Sequence, residues 1–294
     1  MFGFIHQNRD KYGVSRMCKV LEVSRQGYRE WVKAQDVPYK HAALLALIVE
    51  ILAEDDENGE NYGFWRIYLA LRNNHGYKGS PSTIYRICRA NGLTLPKKKS
   101  PNSLTKQDKE AQKSENLINQ DFTADAPNEK WLSDITEVEC AEGKLYVAPV
   151  LDCYDGMIVG LSMEDNMRSQ LCVSAFERAC VQQNATGMIF HTDRGSQYTS
   201  HNFRASLAEF GAIQSMSGTG RCYDNARMES FFATLKKEKL YRINTKELPM
   251  ATVKAIIWRY VFSYYNNRRI YTTNDGWPPT VYRQMYEINR RQVA

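Results

Sequence analysis

The feature that most constrains the fold is a change of hydrophobic period at Lys130. Residues 131–139 alternate apolar and polar side chains, which predicts a half-buried strand. The pattern then predicts four more strands and two helices, namely strands at 144–154, 157–163, 187–191 and 212–216 and helices at 169–182 and 200–210. A three-strand antiparallel meander followed by alternating helix and strand predicts an α/β fold. Its mixed five-stranded sheet would carry helices on both faces.

Two carboxylates occupy positions where such a fold can bring them together. Asp193 ends the fourth predicted strand, and Glu229 lies in the early turns of a helix capped by Asp224 or Asn225. Asp134, on the first strand, can join Asp193 if the two strands are neighbours, which crossover rules permit without requiring. Carboxylate oxygens suit Mg2+, and two such ions about 3.5–4 Å apart can clamp the attacking and leaving oxygens of a phosphodiester.

The residues before Lys130 follow a helical period. Helices predicted at 14–21 and 25–33, with Ser24 as a cap, form one helix-turn-helix pattern, and an ordinary helical hairpin explains them equally well. Because the pattern starts almost at Met1, we expect it to lack a preceding helix.

A second helix-turn-helix pattern is the better candidate for binding DNA. It pairs helices at 62–72 and 82–90 after an amphipathic helix at 41–52, with Ser80 as a cap and Pro81 at the first helical position.

The second pattern coincides with a basic run. No acidic residue occurs from Asn61 to Gln107, directly after an acidic patch at 50–60. The predicted DNA-binding residues are Lys78, Arg86 and Arg89 in the pattern and Lys97, Lys98 and Lys99 in the linker after it. The alternative is a solvated basic face. The aromatic residues Trp65, Tyr68 and Tyr85 are interpreted as core side chains rather than stacking platforms.

Composition excludes several other classes of protein. The net charge of +6 favours a polyanionic partner only weakly. The seven cysteines include no Cys-x-x-Cys pair, which is typical of a reduced protein and gives no zinc site. The first ten residues lack the apolar core of a secretory signal, and the apolar run at 42–53 is too short to span a bilayer.

The patterns divide the chain into four parts. They are a helix-turn-helix-like segment at 1–35, a helix-turn-helix DNA-binding domain at 40–95, a basic linker at 96–127, and a core with C-terminal helices at 128–294.

Three blocks of the sequence resemble the catalytic blocks of DDE transposases. They are Trp-Leu-Ser-Asp-Ile-Thr at 131–136, His-Thr-Asp-Arg-Gly-Ser-Gln-Tyr at 191–198 and Asp-Asn-Ala-Arg-Met-Glu-Ser-Phe-Phe at 224–232. More narrowly, the chain resembles the integrase-type product of the second reading frame in bacterial insertion sequences of the IS-three family. Further matches at 17–28, 62–93, 264–268 and 278–282 extend the resemblance over nearly the whole chain.

The resemblance implies an RNase H-like core that cleaves insertion-sequence ends and transfers the strands to a target. Asp134, Asp193 and Glu229 would be the catalytic triad and would bind two Mg2+ ions, with Mn2+ as a substitute. Lys236 lies two helical turns after Glu229 on the same face, about 10 Å along the axis. It matches the basic residue that in the family touches the end of the element, and the resemblance implies the same contact here. A solvated lysine is the alternative for Lys236. No covalent protein–DNA intermediate is implied.

The resemblance also implies partners. They are DNA, as the ends and the target, further copies of the chain in a homo-oligomer on DNA, and the product of an upstream reading frame, either separate or fused by a frameshift. The expected location is the bacterial cytoplasm, in association with the nucleoid. Asp155-Gly156 departs from the family, which often has Ser-Arg there. Asp152 and Asp155 are the acids most easily mistaken for members of the triad.

Two other functions stay open at this point. An RNase H-like nuclease would need the triad but not strand transfer. A DNA-end-binding regulator would occupy the ends without cutting, although the intact triad argues against it.

Overall fold

A computed structural model describes residues 1–35, 39–93, 115–218 and 225–293 of the chain. Its first part consists of helices α1 (Phe2–Gln7), α2 (Arg9–Tyr12), α3 (Val14–Val20) and α4 (Arg25–Gln35). The Ser24 hydroxyl accepts the N–H of Gly27 at 2.9 Å, which confirms Ser24 as the cap of α4. The expected absence of a helix before α3 is wrong, because α1 fills that place and buries Ile5 against Met17 and Tyr28.

The second helical unit has its own core. It consists of α5 (Ala42–Glu54), a 3-10 turn at Gly59–Asn61, α6 (Phe64–His75) and α7 (Pro81–Ala90). Gly76 ends α6 in the left-handed conformation, with φ of 64°, and the Ser80 hydroxyl caps α7 by accepting the N–H of Ser82 at 3.2 Å. Its buried apolar side chains form one cluster that includes Ile48, Ile51, Ile67, Leu71, Ile84 and Ile87.

A mixed sheet follows, and its strands are β1 (Lys130–Ser133), β2 (Thr136–Cys140), β3 (Gly143–Asp152), β4 (Ile158–Glu164), β5 (Ile189–Thr192) and β6 (Ile213–Met216). β1 and β2 lie in line along one edge of β3, and β4 pairs with the other edge. β5 runs parallel to β1, and β6 runs parallel to β5. The order across the sheet is therefore β4, β3, β2 with β1, β5, β6.

Helices cover both faces of this sheet, as predicted. On one face, α8 (Ser169–Gln182) and α9 (His201–Glu209) pack through Phe176 and Phe203 against Trp131 and Phe190. On the other face, α10 (Ala226–Glu238) and α11 (Met250–Arg259) pack through side chains such as Met228 and Ile257 against Leu132. Trp131 and Leu132 point to opposite faces because successive strand residues alternate.

The C-terminal part packs against β3 and β4, where Asn266 bonds to the backbone of Ile158 and Arg283 bonds to Asp152. A π-helical segment at Tyr260–Tyr265 continues α11, and α12 (Pro279–Val293) ends the described chain. The helices in the described ranges include none that is both long and apolar enough to cross a lipid bilayer.

Candidate active site

Asp134 lies at a gap in the sheet. β1 and β2 pair with β3 in one continuous register, which puts Pro149 opposite Asp134. The Pro149 carbonyl accepts a hydrogen bond from the Ser133 hydroxyl at 2.9 Å, and proline has no N–H to complete the ladder. The first strand, predicted as continuous over 131–139, is therefore divided in two at this acid. The Asp134 carboxylate accepts the N–H of Ile135 at 2.8 Å instead.

Asp193 follows directly on β5, the parallel neighbour of β1. Leu132 pairs with His191, so Asp134 and Asp193 each lie two residues beyond that pair. Equal steps along neighbouring parallel strands lead to the same face, with strands about 4.8 Å apart. The N–H of Gly195 donates to the Asp193 carboxylate at 3.0 Å and holds it at the start of the turn.

Buried hydrogen bonds hold the ends of β1 and β5 in place next to the two acids. The Ser133 hydroxyl has one proton, which it gives to Pro149, so the buried Tyr198 hydroxyl donates to Ser133 at 2.9 Å. This series of hydrogen bonds joins the end of β1 to the turn after β5. His191 is fully buried, and its ring nitrogens lie 2.8 and 3.2 Å from the hydroxyls of Ser215 and Ser217, so it supports the end of β5 from within the fold.

Glu229 comes from the helix that covers this same face. α10 buries Met228, Phe231 and Phe232 under the sheet, and Glu229 on its first turn stays exposed. Next to Glu229, the Arg227 guanidinium anchors the start of α10 by donating to the carbonyls of Phe122, at 3.0 Å, and Cys153. Asn225 stands at the N-cap position, but its side chain makes no capping bond, so its predicted capping role is wrong. Asp224, the other candidate cap, lies outside the described residues.

Asp193 and Glu229 both act electrostatically on Asp134. Burial raises the pKa of the Asp134 carboxyl to about 7, and the negative charges of Asp193 and Glu229 act in the same direction. The Ile135 N–H and the Asn225 side chain lower that pKa. Burial also raises the pKa of Asp193 above its usual value. The negative charge of Asp134 is therefore unfavourable in the metal-free protein.

The chemistry of this set fits a hard divalent cation. Its donors are carboxylate oxygens, and a cation between them would remove the repulsion that contributes to the raised pKa of Asp134. The buried Asn225 amide acts on the Asp134 carboxylate, although neither of its polar atoms makes a hydrogen bond of full geometry within the described residues. Across the described ranges, no three His, Cys, Asp or Glu side chains stand close enough to hold a metal ion together.

Comparisons with known proteins identify the family. A model described as the integrase core domain matches residues 124–222, and one described as an HTH-like domain matches residues 40–100. Over 280 residues the chain is 32% identical to the transposase InsF for insertion sequence IS3 of Escherichia coli, with 94% of this chain and 96% of that protein covered. The chain belongs to the IS3 transposase family.

Other similarities span the same regions. An uncharacterized 31 kDa protein of insertion element IS600 from Shigella sonnei is 33% identical over 273 residues, with 92% of this chain and 98% of that protein covered. Among solved structures, the HTLV-2 integrase catalytic core in complex with magnesium is 18% identical, with a TM-score of 0.41, and covers 54% of this chain and 97% of that chain. The BIV integrase core is 13% identical, with a TM-score of 0.40, and covers 56% and 99%. The integrase-core match and the strand order make the core of this IS3-family transposase RNase H-like.

The predicted DNA contacts of the transposase are distributed over two units. Lys78, Arg86 and Arg89 are exposed on α7 and the turn before it, and Lys236 is half-buried on α10. Lys97, Lys98 and Lys99 lie outside the described residues. All of these assignments remain predictions.

Two aromatic residues of the helix-turn-helix are not core residues. Trp65 is 45% exposed and Tyr85 is 41% exposed, so the prediction that they are buried is wrong. The aliphatic side chains of Ile67 and Ile84 already fill the core between α6 and α7. Tyr68 is half-buried.

Asp152 and Asp155 belong to a structural cluster apart from the triad. Both are fully buried, and Arg283 of α12 donates to each of them at 2.6 Å. Arg283 was not predicted from the sequence, since no local pattern connects it with residues over a hundred positions earlier. Tyr198, which bonds to Ser133, and Asn225, which acts on Asp134, were not predicted as neighbours of the acids, although both lie inside the blocks that resemble the family and this position was the available signal.

Proposed function

We propose that this transposase cleaves DNA at the ends of its insertion sequence and joins them to a target, using Asp134, Asp193 and Glu229. The observation that supports this most is their common origin on one face of the sheet, from the ends of two parallel strands and the first turn of α10. The electrostatic influence of Asp193 and Glu229 on Asp134 agrees with one shared site.

The three acids would hold two Mg2+ ions, with Mn2+ as a substitute. When bound, such ions activate an oxygen nucleophile and neutralise the leaving oxygen of an in-line displacement. The chain itself orients the acids through the gap opposite Pro149 and through the Gly195 turn. With a pKa of about 7, the Asp134 carboxyl must also give up its proton near neutral pH before it can act as a ligand.

DNA would contact two regions of the protein. The exposed arginines of α7 would bind DNA through phosphates or base edges, as in other helix-turn-helix units. Lys236 would bind near the cut, since it follows Glu229 on the same helix. We further propose that the transposase acts as a homo-oligomer on DNA in the bacterial cytoplasm, with an upstream-frame product as a separate or fused partner.

The test is cleavage and joining of labelled element ends in Mg2+ and in EDTA. We expect metal-dependent strand transfer that Glu229→Gln reduces by at least about a thousandfold, because the triad acts as a unit. Glu209→Gln, at an exposed glutamate of α9, is the matched control and should leave the rate unchanged.

Three outcomes would overturn the proposal in different ways. Cleavage without joining would favour the hydrolytic nuclease. Binding without cleavage, even with the upstream frame fused on, would favour the regulator. Full activity in Glu229→Gln would remove this residue from the site.

A further inference from the structure

A buried carboxylate joins the helix-turn-helix unit to the helix that carries Glu229. Glu238, the last residue of α10, accepts hydrogen bonds from Arg269 at 2.8 and 2.9 Å and from the Tyr260 hydroxyl at 2.8 Å. From α6, Arg66 reaches the same carboxylate at 3.2 and 3.3 Å. The Glu238 side chain is only 9% exposed and that of Arg269 only 7%. Segments far apart in the chain therefore meet on one side chain.

Two further ion pairs involve residues that follow Glu238 in the chain. The acidic patch noted in the sequence ends in a loop that faces basic residues of the core. Glu57 pairs with Lys239 at 2.6 Å, and Glu60 pairs with Arg242 at 3.1 Å. These pairs give the acidic patch a role within the molecule, where it docks the second helical unit on the end of α10.

Asp55 and Asp56 make two further contacts between the second helical unit and the C-terminal segment. The hydroxyls of Tyr62 and Tyr264, from the two units, both donate to Asp55, at 2.5 and 2.9 Å. Arg268 pairs with the neighbouring Asp56 at 2.9 Å. The acidic residues thus engage the C-terminal segment as well as α10.

Apolar packing completes the junction. Ile270 of the C-terminal segment packs against the core cluster of the second helical unit. Gly276 lies so close to α6 that a Cβ there would come within 2.8 Å of the Leu69 Cβ. Arg72 of α6 pairs with Asp275 at 2.6 Å. The unit therefore sits against the core over several contacts of different kinds.

The Glu238 carboxylate is more important for orienting its partners than for stabilising the fold. A buried ion pair commonly stabilises a fold no better than apolar side chains of the same size would. A carboxylate shared by two guanidinium groups, however, fixes the direction of each group. Glu238 lies nine residues after Glu229, about 14 Å along one rigid helix. Any movement of the second helical unit would therefore be transmitted towards the acid at the other end.

We propose that Glu238 is a positioning residue that fixes the second helical unit against α10, and thereby fixes the cut site relative to the DNA sequence bound by α7. This inference rests on the proposed function. The protein, rather than the DNA alone, would then set the distance from the recognised sequence to the cleaved phosphodiester.

Arg66→Met tests the inference, because it removes the contact from α6 and leaves Arg269 and Tyr260 to pair with Glu238. The measurements are the cut positions on end-labelled element DNA at single-nucleotide resolution, and the affinity for the same DNA in EDTA. We expect an affinity within about twofold of the wild type. We expect the share of cuts at the wild-type position to fall about tenfold, because a displacement near 1 Å is enough to misalign the reaction. The control is Lys246→Gln. It breaks a solvent-exposed pair with Glu139, whose two members both belong to the catalytic domain, and the cuts should stay at the wild-type position.

A charge swap gives an independent measurement if Arg66→Met folds poorly. Glu57→Lys and Lys239→Glu should each scatter the cuts, and the double variant should restore the single position, since it rebuilds the pair with reversed signs. Amide hydrogen exchange in α10 should be faster in each single variant than in the wild type, and it should return to the wild-type rate in the double variant. This readout does not need activity.

The possible failures are distinguishable. If the wild type never cuts in a metal-dependent manner, the proposed function fails. If the wild type cuts at one position and the Arg66→Met, Glu57→Lys and Lys239→Glu variants cut there equally sharply, the positioning role of Glu238 is wrong and the proposed function stands.

Discussion

At the scale of single residues, the site depends on an acid held where its charge is unfavourable. Asp134 sits in the break between β1 and β2, partly buried and close to two other carboxylates. Such an arrangement is stable only while other interactions compensate for it, and it favours the binding of a cation. Destabilisation of the free protein and preparation for a metal therefore have the same cause.

Asp134→Asn should stabilise the metal-free protein at neutral pH. The pKa of this acid rises from 3.8 to about 7 on folding, so between these values the folded protein keeps a proton that the unfolded chain releases. Its contribution to the free energy of unfolding thus falls as pH rises from about 4 to about 7 and stays low above that. The gain should be on the order of 2 kcal/mol at pH 8, after allowance for partial exposure, and near zero at pH 4.

Thermal unfolding in EDTA at the two pH values measures this difference. An equal gain at both would mean that the ionisation of Asp134 does not carry the effect. In Mg2+ the wild type should be more stable than Asp134→Asn, because only the wild type would gain stability from the bound ion.

Tyr198→Phe should weaken catalysis more than folding. The change removes the hydroxyl that donates to Ser133 and so loosens the link between the end of β1 and the turn after β5. Ser133 keeps its bond to Pro149, so the loss of stability should be about 1 kcal/mol. Misalignment of Asp134 and Asp193 should lower the rate of cleavage about tenfold.

Single-turnover cleavage measures the rate, and urea unfolding measures the free energy of unfolding. Tyr241→Phe, at a tyrosine that is 75% exposed, is the control and should change neither. An unaltered cleavage rate in Tyr198→Phe would show that the hydroxyl chain does not position the acids.

At the scale of elements, one arginine holds the last helix on the sheet. Arg283 of α12 is 7% exposed and pairs with Asp152 at the end of β3 and with Asp155 in the turn before β4. The Asn274 side chain adds a hydrogen bond to the Asp155 carbonyl at 2.7 Å. This cluster fixes the β3–β4 connection, and β3 in turn carries the Pro149 that divides the strand at Asp134.

Arg283→Met should be strongly destabilising. It leaves two fully buried carboxylates without their cation, which costs about 3–5 kcal/mol in comparable buried pairs. Arg290→Met, at an exposed position of the same helix, should change the free energy of unfolding by less than about 0.5 kcal/mol. Urea unfolding compares the two, and a similar small effect for both would mean that the cluster is not needed to hold α12.

The order of elements could be predicted from the sequence because each local pattern agrees with its tertiary place. The helix predicted at 169–182 has those bounds in the structure, and the Ser80 cap was readable from residue type. The division of the first strand could not be foreseen, since it depends on Pro149 of the partner strand lying opposite Asp134. The exposure of Trp65 and the pairing of Arg283 likewise depend on which elements pack together, which no local pattern contains.

At the scale of the whole molecule, two groups of basic residues have different surroundings. One group is paired with acids inside the molecule and holds its parts together, namely Arg66, Lys239, Arg242, Arg268, Arg269 and Arg283. The other group is exposed on α7 and its preceding turn. The net charge of +6 therefore does not locate the surface offered to DNA, because it does not tell paired cations from the exposed ones.

Arg89→Ala should weaken binding to DNA without affecting the fold. Ser82, Arg86 and Arg89 lie along one exposed stripe of α7, opposite the buried Ile84 and Ile87. Loss of one phosphate contact should make the dependence of log affinity on log salt concentration shallower by about 0.9, with similar losses on all DNA sequences.

The measurement is fluorescence anisotropy over a salt series, with element-end DNA and with unrelated DNA. Arg259→Ala, at an exposed arginine of α11, is the control and should keep the wild-type slope. A loss confined to element-end DNA would instead assign Arg89 to a base edge, where one good contact is worth about 1–3 kcal/mol of discrimination. A wild-type slope and affinity in Arg89→Ala would remove α7 from the DNA-binding surface.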